Sequence, residues 1–118
     1  MTVQECYDKM GGDYNDVINR LRTDERVAKF LTRVASEPSF VLLESAFANG
    51  NAEEAFRAAH TIKGVCGNLS LTQMAKSASA LTEALRGAAA IPPEATPLIA
   101  QLRQDYALCC ASIKELSV

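Results

Sequence analysis

The chain has 118 residues, of which 48% are hydrophobic and none is tryptophan, and its formal net charge is −2 at pH 7. This length allows one compact domain with a hydrophobic core, and we expect a single domain over residues 1–118. The slight negative charge gives no electrostatic reason to bind nucleic acid or an anionic membrane. No apolar run reaches about 18 residues and no basic segment precedes a hydrophobic one at the start, so neither membrane insertion nor secretion is expected.

The four cysteines are Cys6, Cys66, Cys109 and Cys110. They show no C-x-x-C spacing, and together with a single histidine they do not supply three or four clustered ligands, so no metal site is expected. An adjacent pair and one core-facing thiol suit a reducing compartment better than two disulfide bridges. This favours a cytoplasmic protein.

Short helices are predicted over residues 1–37, before a longer helical region begins. Residues that start and stop helices separate them: Thr2, Asp13, and Thr23 or Asp24 are N-cap candidates, while Gly11, Gly12 and Pro38 are stop signals. The predicted helices span residues 3–10, 14–22 and about 24–36.

Four further helices are predicted over residues 39–117. Ser39 is expected to cap the first, from Phe40 to about Asn49, with Gly50 at its C′ position. Asn51 starts the next helix at once, so these two helices should be antiparallel neighbours. The second helix should end near residues 69–71, Thr72 should cap the third, and Pro93 or Pro97 should lie in the first turn of the fourth.

Apolar residues recur at helical spacing in these segments. The positions expected to face inward are Leu42, Leu43, Ala46 and Phe47, then Met74, Ala75, Ala78, Leu81 and Leu85, and finally Leu98, Ile99, Leu102, Tyr106, Cys109, Ile113 and Leu116. The predicted fold is therefore all-α, an antiparallel four-helix bundle with the short N-terminal helices packed on one end.

The only histidine of the chain, His60, lies in the second of these four helices. At about 100° per residue, the apolar positions Ala55, Ala58, Ala59, Ile62, Val65, Cys66 and Leu69 fall on one stripe, and His60 points about 160° away from its centre. Gly64 and Gly67 follow on the outward face. Because each glycine inside a helix costs about 1 kcal/mol relative to alanine, we infer that something large must approach the ring.

An exposed imidazole at this place can act as a nucleophile. Its ordinary pKa of about 6.5 leaves one ring nitrogen free near neutral pH. Lys63, one turn further along, can place its ammonium beside an anion on His60. A nucleophilic nitrogen, a nearby cation and a cleared approach are the requirements for phosphorylation on histidine.

The segment Ala-Ala-His-Thr-Ile-Lys-Gly-Val-Cys-Gly-Asn-Leu, residues 58–69, resembles the signature of histidine-containing phosphotransfer (HPt) domains of two-component signalling. The resemblance implies that His60 accepts a phosphoryl group from a receiver-domain aspartate and passes it to another. It also implies that Lys63 steadies the phosphate and that Gly64 clears the docking surface.

Two positions depart from the family pattern. Ser70 stands where the family often has glycine, and Thr82 stands where it often has Gln or Glu that hydrogen-bonds the histidine. The resemblance gives this ring-binding role to Thr82, whose hydroxyl can accept a hydrogen bond but has a shorter reach.

The expected partners are receiver domains of response regulators and hybrid histidine kinases, docked over the face that carries His60. Candidate contacts are Phe56, Arg57, Thr61, Gly67 and Asn68, although Phe56 fits a partly buried core position equally well. No nucleotide-binding motif is present, so we expect a phosphoryl carrier without cofactor or kinase activity of its own. We also expect it to be a monomer.

A different class of function also fits the same helices. The chain would then be a helical adaptor that binds partners without phosphoryl chemistry, with His60 incidental. Acid–base catalysis in a hydrolase is a weaker alternative, because no second catalytic group lies near His60 in the sequence.

Overall fold

The computed structural model describes residues 1–117, which form seven α-helices and no strand. The helices are α1 (Val3–Met10), α2 (Tyr14–Leu21), α3 (Asp24–Val34), α4 (Pro38–Ala48), α5 (Ala52–Asn68), α6 (Thr72–Leu85) and α7 (Ala95–Lys114). Helices α4 to α7 follow one another as an antiparallel bundle in which α5 packs against both α4 and α6, and α6 packs against α7. The predicted all-α bundle is confirmed.

Local end signals determine most of the helix starts. Thr2, Asp13, Thr23 and Asn51 each accept a hydrogen bond from a backbone N–H in the first turn of the following helix. Between α4 and α5, Gly50 has a φ of +67°, a left-handed conformation that favours glycine. This tight link makes α4 and α5 antiparallel neighbours, as the sequence predicts.

Helix α4 differs from its prediction in two respects. It begins at Pro38 rather than after Ser39, and Glu37 occupies the N-cap position. The fixed φ of proline suits the first helical position, so Ser39 lies inside the first turn and its hydroxyl donates to Glu37 Oε1 at 2.9 Å. Leu42 is 59% exposed. Its expected inward position is therefore wrong, because Leu43 and Ala46 already fill the buried face.

The start of α6 and the end of α7 also differ from their predicted positions. Leu71, which is 1% exposed, is the N-cap residue of α6, and Thr72 is the first helical residue without capping it. No side-chain hydrogen bond caps α6, so the helix start is determined by the burial of Leu71. Helix α7 carries Pro97 in its first turn, as expected, but it ends at Lys114, so Leu116 lies beyond it.

The N-terminal helices pack where α5 turns into α6. The buried hydroxyl of Tyr7 donates to the carbonyl oxygen of Leu69 at 2.7 Å, and the backbone N–H of Asp13 donates to the carbonyl of Ser70 at 2.8 Å. Gln73 N–H donates in turn to the carbonyl of Gly11 at 3.1 Å. These bonds attach the short helices to one end of the bundle, as predicted. In the described part of the chain, no helix is long and apolar enough to cross a membrane.

Candidate functional site

Helix α5 presents one buried face and one exposed face. Its buried residues are Ala52, Ala55, Ala58, Ala59, Ile62 and Cys66. Small side chains dominate this face, so α5 can approach both α4 and α6 closely. His60 lies on the opposite face and is exposed, as the helical periodicity predicts.

The surface beyond His60 is open. A Cβ atom built on Gly64 or on Gly67 would meet no heavy atom within 4 Å. Packing inside this chain therefore does not require glycine at either position. The two glycines leave backbone exposed on the face that carries the imidazole.

Phe56 lies one turn before His60 and is half buried. Its ring is parallel to the imidazole, with 8° between the planes and 5.9 Å between the ring centroids. Part of the side chain therefore packs on the core, as one of the two expected positions for Phe56 requires, and part of it contacts the histidine. Its contact with a receiver stays a prediction.

Charged side chains of α5 and α6 interact with one another around His60. Glu83 of α6 has a pKa below its ordinary value, chiefly because Arg86 hydrogen-bonds and attracts its carboxylate, with smaller contributions from the charges of Lys63 and His60. The carboxylate is therefore within electrostatic range of both α5 side chains. Lys63 itself forms no ion pair with an acidic side chain among residues 1–117.

Thr82 is completely buried. Its hydroxyl donates to the carbonyl oxygen of Ala78 at 2.7 Å, one turn earlier in α6. Within the described chain it makes no hydrogen bond to His60, and the ring-binding role implied for Thr82 stays a prediction.

Arg57 and Thr61 lie on the exposed side of α5. The guanidinium of Arg57 pairs with Glu53 at 2.5 Å and Glu54 at 3.0 Å, and the hydroxyl of Thr61 donates to the carbonyl of Arg57 at 3.0 Å. Both side chains are accessible beside His60.

The C-terminal end of α5 is held by Arg20 of α2. Its Nη2 donates to the carbonyl of Asn68 at 2.5 Å and to Ser70 Oγ at 2.7 Å, while Nη1 pairs with Asp16 at 2.6 Å. The Ser70 hydroxyl donates to the same Asp16 carboxylate at 2.6 Å. These hydrogen bonds fix the backbone at Asn68, where the exposed face of α5 ends.

Ser70 has a φ of +54°, a left-handed conformation that serine adopts rarely. This conformation explains why glycine suits the position in the family pattern. Here the hydrogen bonds to Asp16 and Arg20 offset the backbone strain. They also lower the pKa of Asp16, with the Ser70 hydroxyl as the larger cause.

An apolar groove of about 320 Å³ opens next to Asn68. It is lined by Leu21, Phe30, Arg33, Val34, Glu37, Val65, Asn68 and Leu69, so α2, α3 and α5 all contribute to it. The groove extends the exposed face of α5 toward the N-terminal helices.

Sequence reasoning missed Glu83, Arg86 and Arg20. The first two could have been found from the short link at residues 69–71, because an antiparallel hairpin centred there places the end of α6 beside Phe56 and His60. For Arg20 the sequence indicates only Asp16, four residues earlier, since its other partners, the carbonyl of Asn68 and the hydroxyl of Ser70, are 48 and 50 residues away.

The described side chains offer no cluster of three or more His, Cys, Asp or Glu residues for a metal ion. Of the predicted site residues, the structure brings His60, Gly64, Gly67, Phe56, Arg57, Thr61 and Asn68 to the outer side of α5, with Lys63 partly exposed beside them. Thr82 alone is enclosed in the interior.

The sequence matches the family model described as the Hpt domain over residues 29–109. This match covers more than half of the chain and includes all of α4, α5 and α6. The chain therefore belongs to the Hpt domain family, whose members are helical bundles that carry phosphoryl groups in two-component signalling. Searches of curated proteins and of solved structures gave no significant match.

Proposed function

We propose that this protein is a phosphorelay carrier that accepts a phosphoryl group on His60 from a receiver-domain aspartate and delivers it to the receiver domain of a response regulator. The observation that supports this most directly is the exposed His60 on a helix face cleared by Gly64, within an Hpt domain. The whole chain, residues 1–118, acts as one domain.

The transfer step exchanges one bond to phosphorus for another. The lone pair of a neutral ring nitrogen of His60 forms the N–P bond, while the P–O bond to the aspartyl group breaks and its electron pair stays on the carboxylate oxygen. The other ring nitrogen keeps its proton. Lys63 balances the negative charge of the phosphoryl group as it passes, as a flexible point charge can. The reverse sequence of bond changes delivers the group to a second aspartate.

A receiver domain approaches over the outer face of α5. Gly64 and Gly67 leave room for the aspartyl phosphate and the loops around it. Phe56, Arg57, Thr61 and Asn68 surround this opening and contact the receiver. Close approach matters because an error of about 1 Å in the placement of reacting groups can cost a hundredfold in rate.

The carrier works as a cytoplasmic monomer and depends on other proteins for phosphate. Its sequence has no phosphate-binding loop for a nucleotide, so donors are phosphorylated receivers, including those of hybrid histidine kinases. We propose no cofactor, metal, nucleic acid or membrane in this function. For Thr82 to hold the ring, its hydroxyl would accept a hydrogen bond from the imidazole while it donates to the carbonyl oxygen of Ala78.

The test is phosphorylation of the purified chain. Incubation with phosphoramidate, or with a phosphorylated receiver, should give one acid-labile, alkali-stable phosphate per chain in the wild type and none in His60→Gln. A wild-type chain that takes up no phosphate from either donor, yet still binds receivers, would be an adaptor without phosphoryl chemistry.

A further inference from the structure

Side chains of two helices form a stack beside His60. The imidazole lies parallel to the ring of Phe56, and the guanidinium carbon of Arg86 lies over that same ring, 5.2 Å from its centroid. Arg86 caps the C-terminal end of α6, whereas Phe56 and His60 belong to α5. The end of α6 therefore places a cation on the same phenyl ring that the histidine stacks on.

This cation is occupied by Glu83. Arg86 Nε donates to Glu83 Oε2 at 3.1 Å and Nη2 donates to Oε1 at 3.0 Å, a two-pronged pair within one turn. The side chains are 55% and 58% exposed. Exposed ion pairs contribute little to stability, so this pair can break at small cost.

Arg86 differs from the other two cations of this region, Arg57 and Lys63, because it comes from α6 and has no part in the proposed transfer step. Arg57 is held by Glu53 and Glu54 on its own helix. Lys63, also on α5, is the cation that the proposed transfer uses. Besides Arg86, the charges of Lys63 and His60 lower the pKa of Glu83, so its carboxylate lies within electrostatic range of a new charge on the imidazole.

We propose that phosphorylation of His60 exchanges the partner of Arg86, so that the guanidinium leaves Glu83 and binds the phosphoryl group. This rests on the proposed function of His60. Glu83 then competes with the phosphoryl group for Arg86 and shortens the lifetime of the phosphohistidine. Arg86 is a positioning residue that engages only after the group has arrived.

Two physical effects favour the exchange. A phosphoryl group brings nearly two negative charges, which repel the Glu83 carboxylate across the same distance at which His60 already affects it. A guanidinium also matches phosphoryl oxygens with two parallel N–H donors, as it does a carboxylate, so Arg86 loses no hydrogen bonds. The stacked Phe56 ring offers the guanidinium a surface to move along.

The experiment measures the half-life of the acid-labile phosphate after the chain is labelled with phosphoramidate and the donor is removed. Glu83→Gln keeps the shape of the side chain and removes its charge, and it should lengthen the half-life about twofold to fivefold. Arg86→Ala should shorten it by a similar factor. The double variant should behave like Arg86→Ala alone, because without the guanidinium there is nothing to compete for.

A matched control comes from Glu44 and Arg103, which form the same two-pronged pair at 2.7 and 2.8 Å between α4 and α7. Glu44→Gln should leave the half-life unchanged. In the ¹⁵N-labelled wild type, the Nε–H resonance of Arg86 should move on phosphorylation while that of Arg103 stays in place. A merely structural ion pair would not move in this way.

Each other outcome overturns the exchange. If Glu83→Gln lengthens the half-life equally with and without Arg86, the carboxylate acts by direct repulsion alone. Unchanged half-lives in both single variants, or a stationary Arg86 resonance, also contradict it while leaving the carrier function intact. A wild type that takes up no phosphate on His60 contradicts the proposed function itself.

Discussion

The imidazole of His60 stacks on the phenyl ring of Phe56, with 8° between the planes, on a helix face that is otherwise open to solvent. The stack steadies the ring without enclosing it. A nucleophile held in this way is oriented by one neighbour and remains accessible to a partner protein.

Replacement of His60 by glutamine should abolish phosphate uptake and leave folding almost intact. The ring is exposed, so its loss removes the contact with Phe56 and little buried surface. We expect the free energy of unfolding in urea to change by less than about 1.5 kcal/mol. A loss above about 2 kcal/mol would mean that the ring contributes to the core, which contradicts the surface nucleophile.

Replacement of Lys63 by alanine should slow transfer from a receiver without preventing it. The lysine balances charge in the transfer step but does not supply the nucleophile, and removal of one partly exposed cation affects the rate more at low salt than at high salt. Stopped-flow transfer measured at two ionic strengths checks this. Equal rates for Lys63→Ala and wild type at low salt would remove the lysine from the mechanism.

We expect the chain to lose stability in alkali, because its buried thiols have raised pKa values. Burial raises the pKa of Cys66 and of Cys109 to about 12, from an ordinary value of 9.0. Both thiols ionise in the unfolded chain above pH 9 but not in the folded one. The contribution of these thiols to the free energy of unfolding is therefore fully present below pH 9. It is lost as the pH rises toward 12, by up to about 1.4 kcal/mol per pH unit for each thiol.

Urea titrations between pH 8 and pH 10.5 measure this slope. Cys66→Ala or Cys109→Ala should start less stable because each leaves a cavity, but should lose stability less steeply with pH. Cys110→Ala is the control, since the three buried thiols, Cys6, Cys66 and Cys109, all remain in it. Equal slopes in all four proteins would show that other groups, such as the buried Tyr7, account for the alkaline loss.

The sequence predicts helix ends well where the signal is local. Thr2, Asp13 and Asn51 cap their helices because each needs only its own hydroxyl, carboxylate or amide and a backbone N–H three residues ahead. Ser39 and Thr72 carry the same local signal and do not cap. At those places Pro38 and the buried Leu71 determine where the helix begins.

The candidate site divides in a similar way. The exposure of His60, Gly64 and Gly67 follows from periodicity within a single helix. The contributions of Glu83, Arg86 and Arg20 depend on how other helices pack against α5, and helical periodicity alone does not determine that register. The left-handed backbone of Ser70 is equally invisible in the sequence, because its compensation comes from Asp16 and Arg20 in α2.

Gly12 should be irreplaceable for packing. A Cβ atom there would lie 2.6 Å from Cδ2 of the fully buried Tyr7 and 3.1 Å from the carbonyl oxygen of Ser70. Neither atom can give way cheaply, so Gly12→Ala should lower the free energy of unfolding by about 1–3 kcal/mol. Gly64→Ala is the matched control and should instead be neutral or stabilising. The same sign for both variants would contradict this assignment of the two glycines.

Gly64 gives the sharpest test of the docking surface, because a side chain there meets nothing in this chain. Glutamine favours a helix more than glycine does, so Gly64→Gln should be folded and more stable by up to about 1 kcal/mol. Yet its side chain would rise beside His60 into the space that a receiver's aspartyl phosphate must enter. Transfer from a phosphorylated receiver should therefore fall by about a hundredfold.

Two phosphate donors distinguish a blocked approach to His60 from a loss of reactivity of the histidine in Gly64→Gln. Phosphoramidate is small and needs little room, so it should label His60 in Gly64→Gln at nearly the wild-type rate, while transfer from the receiver is impaired. Loss of both reactions would indicate damage to the histidine itself. Receiver-dependent transfer at the wild-type rate would contradict the cleared surface, because a folded chain with a side chain over the histidine would still admit its partner.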